Sequence, residues 1–149
     1  MSAQSKVNNL FERIKTARTD PAIGIRIEQL TGDDTISQYV AARELHRSVP
    51  AHYSQAGSGI YPIVHGGGKL HTRVPSPHDA VTWSSPVDVR SGDCFTVQGE
   101  QVHQMENTGS LAKIAIIVSP PAHIGHDRFI VPGAVLHQPG GSFYAALSF

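Results

Sequence analysis

After Asp20-Pro21 the chain never sustains a helical period: its apolar residues recur at every second position in short runs, each closed by Gly, Pro, Asn or Ser. A period of two places successive side chains on opposite faces of an extended strand. Such a chain must build sheets, and their edges must be closed or covered. In the first run Ile23, Ile25 and Ile27 alternate with Gly24, Arg26 and Glu28, and further strands are expected at about 36–47, 59–65, 69–74, 80–83, 93–97, 102–106 and 111–118. Turns are expected at Gly32-Asp33-Asp34, at Asn107-Thr108-Gly109-Ser110 and at His65-Gly66-Gly67-Gly68-Lys69, where glycine can supply the positive φ of a tight hairpin. In the most apolar run, Leu111 to Val118, Ile114, Ile116 and Val118 face one way and Ala115 and Ile117 the other, as in a strand covered on both faces. One helix precedes the strands, expected over about 7–18, with Val7, Leu10, Phe11 and Ile14 on its apolar face and Lys15 and Arg18 at the negative end of its dipole. That face should pack outside a β-sandwich or small barrel.

Composition narrows the function classes. A chain of 149 residues is one domain, residues 1–149, and needs no disulfide or structural metal to bury a core. With 12 Lys+Arg against 12 Asp+Glu and no basic run, it lacks the phosphate-neutralising surface that nucleic-acid binding requires. No apolar run approaches the ~20 residues of a membrane-crossing helix, so no membrane partner is expected. The lone Cys94 cannot form an internal disulfide, which suits a reducing, cytoplasmic setting, and its place beside Phe95 in a short strand predicts a buried, inert thiol.

Nine histidines leave room for imidazole chemistry. From Gly92 through Phe95 and Val97 to His103 and Asn107 the chain resembles the second motif of the cupin superfamily: a Gly, a short strand, a loop, then a metal-binding His followed four residues later by Asn. Gln98 and Glu100 stand where that family commonly has Pro and Gly. The segment from Val49 to Gly66 is similar to the first motif, with His52 at the first ligand position, Ser54 in place of the second His and Gly59 in place of the Glu. The resemblance spans residues 36–121 and implies an all-β fold of the cupin type, a double-stranded β-helix or jelly-roll barrel, with residues 122–149 as a C-terminal extension. It implies a metal centre of three His and one carboxylate, of which His52 and His103 are kept. Iron, manganese, nickel, zinc or copper would suit such ligands. The alternative is that both imidazoles are hydrogen-bonded polar walls of a metal-free pocket.

The remaining candidates are weighed against ordinary structural roles. Ser54, Gly59, Tyr61, Ile63, Phe95 and Met105 are expected to line the ligand pocket, with a gap beside Gly59, while Tyr53 and Trp83 compete as core aromatics. A rise of about 3.3 Å per residue puts His65 about 20 Å from position 59 and, with His71, at the wrong end of the barrel. His46 and His78 are expected at the surface or in satisfied wall positions, and Asn107 in a turn. His123, His126 and Asp127 form a denser cluster with enough nitrogen and oxygen donors for a separate metal site, but they follow Pro120-Pro121 in a loop, where exposed polar residues are ordinary and are the favoured reading. Two functions follow: a metal-dependent enzyme of dioxygenase, isomerase or lyase type acting on a small organic molecule, or a metal-free ligand-binding, sensing or sugar-epimerase-like barrel. The Ile23–Ile27 strand, if left at a sheet edge, favours a homodimer.

Overall fold

Asn9 sets where the helix begins. In the computed structural model, which describes residues 7–21, 24–43, 49–73, 83–108, 112–121 and 127–131 and the backbone of 135–137 and 143–145, its side chain accepts the N–H groups of Phe11 and Glu12 at 3.0 and 3.1 Å. This N-cap starts helix α1 at Leu10, and Ala17, in extended conformation, ends it after Thr16. The helix is therefore shorter than residues 7–18. Only Leu10, Ile14 and Ala17, spaced four and three apart, reach the sheet beneath, where they meet Leu30, Val40, Ala42 and Ile116. Val7 precedes the cap and is 91% exposed, and Phe11, one step round the helix from the buried stripe, is 49% exposed. The helix packs outside the sheets as expected, but on two of its four expected apolar contacts.

The strands, in chain order, are β1 Arg18–Asp20, β2 Ile25–Gly32, β3 Ser37–Arg43, β4 His52–Tyr53, β5 Gly59–His65, β6 Gly67–Arg73, β7 Val87–Arg90, β8 Cys94–Val97, β9 Val102–Glu106, β10 Lys113–Ser119, β11 Phe129–Ile130, β12 Val135–His137 and β13 Phe143–Ala145. Antiparallel pairing arranges them as β1-β2-β3-β10-β5-β8 in one sheet and β11-β4-β9-β6-β7 in a second, with β12 and β13 paired apart. From β5 to β11 the chain passes repeatedly between the two sheets. That is the winding of a double-stranded β-helix, and it takes in strands on both sides of residues 36–121.

Three expectations change at this level. The glycine run 66–68 does not close a hairpin, because β5 and β6 lie in different sheets; it carries the chain round a corner where backbones nearly touch. A Cβ on Gly68 would lie 1.8 Å from the Glu106 carbonyl oxygen, and one on Gly66, at φ +76°, 2.8 Å from that of Ala112. The isoleucine strand is not an edge, since β2 is flanked by β1 and β3, and Ile25 and Ile27 pack within the chain's own core beside Ala41 and Ile117. The strand expected at 80–83 is absent at Trp83, and residues 80–82 lie outside the described ones. The two-faced reading of β10 holds: Ile116 packs under the helix, while Ile117 packs on the opposite face with Ile25 and Ala41.

Candidate functional site

Register decides which side chains meet. His52 of β4 stands directly opposite His103 of β9, so both rings leave the same face of the second sheet, and their centroids are 4.2 Å apart. Each ring is held by its own strand: Nδ1 of His52 donates to the Pro50 carbonyl at 2.8 Å, and Nδ1 of His103 to that of Gln101 at 3.2 Å. A carbonyl only accepts, so in the neutral rings the proton sits on Nδ1 and the lone pair on Nε2.

Around this pair the two sheets enclose a cavity of about 80 Å³, lined by His52, Ser54, Tyr61, Ile63, Phe95, His103 and Met105 among others. Tyr61 stacks on Phe95 with centroids 5.2 Å apart and also stands 6.1 Å from the His103 ring. Burial pushes its phenol well above the ordinary tyrosine range. Gly59 departs from expectation: no gap lies beside it, because a Cβ there would meet Tyr61 Cε2 at 2.7 Å. The ring of Tyr61 holds the space that a longer residue at position 59 would need.

Three further residues of the lining, Arg43, Lys113 and Arg128, were not among the sequence candidates. Lys113 pairs with Arg43 across β10 and β3, on the inward face shared with Ala115 and Ile117. Arg43 is 4% and Lys113 5% exposed. Arg43 donates to the Met105 carbonyl, whereas Lys113 Nζ is buried with no hydrogen-bond partner among the described residues. Burial, reinforced by Arg43 and opposed by Glu106, lowers the Lys113 ammonium to about 7; burial likewise lowers the Arg43 guanidinium to about 9, with Glu106 opposing. Arg128 approaches from beside β11 and donates to Asp20 at 2.9 Å. No described lining residue is a carboxylate.

The other candidates fall elsewhere. Tyr53 stacks on Phe129 and joins Trp83 in packing on Ala51 and Val102, outside the cavity lining. His71 is buried, 3.5 Å from Glu106, and His65 is exposed with Nδ1 donating to the Ala112 carbonyl at 3.0 Å; neither lines the cavity. Asn107 ties the end of β9 to β3 by donating to the Arg43 carbonyl at 3.3 Å. Asp127 is a clasp rather than an exposed loop residue: buried, it accepts the N–H groups of Gln55 and Ala56 at 2.9 and 2.7 Å. Cys94 is exposed, not buried, because its strand β8 is the last of its sheet and Phe95 takes the inward place. His46, His78, His123 and His126 lie outside the described residues.

The fold has known counterparts. The structure is similar to that of an uncharacterized conserved protein with a double-stranded β-helix domain from Klebsiella pneumoniae subsp. pneumoniae MGH 78578, with TM-score 0.62 and 14% identity, covering 86% of this chain and 98% of that one. It is also similar to the cupin domain of Schizosaccharomyces pombe Cnp3, with TM-score 0.58 and 10% identity over 72% of this chain and 66% of that one. The chain has the cupin fold. An oxalate oxidase in complex with the substrate analogue glycolate shares the cupin barrel, with TM-score 0.62 and 14% identity over 84% of this chain and 65% of that one. No family model and no curated protein matches the sequence.

A metal at the cupin centre would need more than this lining offers. The two imidazoles are well oriented for it, because pinning Nδ1 to a carbonyl is how metal-binding histidines are commonly set. Yet no group of three or more His, Cys, Asp or Glu that could hold an ion occurs among the described residues. Ser54 and Gly59 stand where the motif resemblance puts the other two ligands, and the same lining carries Arg43, Lys113 and Arg128, while the described carboxylates that act on them, Glu106 and Asp20, lie outside it. A divalent cation would enter a site already cationic. The described residues do not fit a tightly held metal.

Proposed function

We propose that this cupin-fold chain binds a compact organic molecule in its barrel without a resident metal, His52 and His103 orienting it through their Nε2 atoms. The observation that carries this reading is the paired, backbone-pinned imidazoles in a lining whose other polar members are Ser54, Tyr61 and three basic side chains. A cavity of about 80 Å³ takes on the order of five to eight water-sized groups, so the occupant is a small metabolite. Neutral imidazoles sharing one face can accept hydrogen bonds from a hydroxyl or carry a proton between two of its positions. Sensing and proton-transfer chemistry both belong to this reading. It is tested by thermal shift with a panel of acids, sugars and amides of about eight heavy atoms or fewer. Binding should persist in a chelator and weaken at least tenfold in both His52→Ala and His103→Ala. Binding only after metal is added would overturn it.

We further propose a cytoplasmic homodimer. Its support is the outer edge of β8, which no described strand pairs and where Cys94 and Thr96 are exposed. No described helix is long and apolar enough to cross a membrane. A monomer by light scattering at micromolar concentration would contradict the dimer.

A further inference from the structure

The geometry points to an organic monocarboxylate as the molecule bound in the barrel, its carboxylate held by Lys113 and Arg43 and its apolar body lying toward Met105 and Ile117. This rests on the reading that the barrel binds a small molecule and names the class of that molecule.

Lys113 comes from the inward face of β10, is 5% exposed and lines the cavity, yet its ammonium has no hydrogen-bond partner among the described residues. An unpaired buried ammonium is costly, and chains normally avoid it by pairing the charge or placing an apolar residue there. The neighbouring strand does not supply the missing partner. It supplies a second cation, Arg43, in direct register. The nearby Glu106 opposes the lowering of both side chains but lies outside the cavity lining. Among the described residues, these two cations against Glu106 leave about one unit of positive charge when both are protonated, matched to a monoanion rather than to a dianionic phosphate. The guanidinium fork and the ammonium can share the two oxygens of a carboxylate. Beside them on the wall, Ala115, Ile117 and Met105 suit an apolar body.

Ligand binding would then relieve the burial of Lys113. An anion beside the ammonium favours its charged form, so binding above neutral pH must draw a proton from solvent.

The experiment is calorimetric titration of the full chain with acetate, lactate and butyrate, their amides as uncharged matches, and inorganic phosphate, at pH 8 in two buffers of different ionisation enthalpy. At least one of the carboxylates should bind saturably with proton uptake, at least tenfold more tightly than its amide and than phosphate. Lys113→Met should weaken that binding about 10- to 100-fold, the range expected for losing a hydrogen bond to a charged group. The variant should still fold, because it removes an unpaired buried charge and keeps all but the last atom of the side chain's length. Lys15→Met, on the exposed helix, should bind like the parent. Amides binding as tightly as acids, phosphate binding more tightly than carboxylates, unchanged binding in Lys113→Met, or no carboxylate binding at all would each overturn the inference. Binding of neutral compounds alone would overturn it while leaving the small-molecule reading of the barrel standing.

Discussion

Lys113 is the residue on which folding and function pull in opposite directions. Its ammonium, lowered to about 7, is ionised in the folded chain only below that pH, whereas in the unfolded chain it stays protonated to about 10.5. Between those values the unfolded state binds more protons, so this group's contribution to stability rises with pH; below about 7 both states are protonated and the cost of burying the charge is fully present. Arg43 and Glu106 face Lys113 most closely, and His52, His103, Tyr61 and Arg128 share its cavity. Because these other groups titrate too, the clean test is a difference. Without ligand, Lys113→Met should melt higher than the parent at pH 6.5, and the gap should shrink as pH rises to 9.5. A constant gap would mean that Lys113 does not titrate there. Carboxylate affinity should follow the opposite course, falling as pH rises above 7.

At the scale of elements, the turns carry the sharpest tests. Gly68 is required by contact, since any Cβ would strike the Glu106 carbonyl at 1.8 Å, so Gly68→Ala should cost about 3 kcal/mol or more in urea unfolding. Gly92 has φ +93° with nothing within 4 Å, so Gly92→Ala should cost only the backbone term of about 1 kcal/mol. Glu100 is the reverse case. It adopts φ +66° at a position where the cupin motif commonly has glycine, and its N–H donates to the Ser54 carbonyl at 2.6 Å, anchoring the loop that leads to His103. Glu100→Gly should therefore stabilise the chain by about 0.5–1 kcal/mol. Legibility followed the same division. Strands β5 and β9 were readable to the residue because period two and turn residues bounded them on both sides. Two-residue strands such as β4 and β11 show no period, and β7 lies within a Pro- and Ser-bounded stretch too short to phase. The glycine corner at 66–68 was misread because local spacing marks a turn and says nothing about which sheet the next strand joins.

For the whole molecule, the fold was carried by pattern and resemblance together, while only part of the lining was. His52 and His103 were found because a motif aligned them. Arg43 and Lys113 were missed, although the phase that turns Ala115 and Ile117 inward also turns Lys113 inward, two residues earlier on β10. Charged residues at strand ends are ordinarily solvated, and only the pairing of β10 with β3 shows that these two are buried together. In this barrel cations share the lining with the imidazole pair, and that combination disfavours a resident divalent ion. Elemental analysis of protein purified without a metal-affinity tag tests this most directly. Well under a tenth of an equivalent of iron, manganese, nickel, zinc or copper per chain is expected. Near-stoichiometric metal, lost in both His52→Ala and His103→Ala, would contradict it.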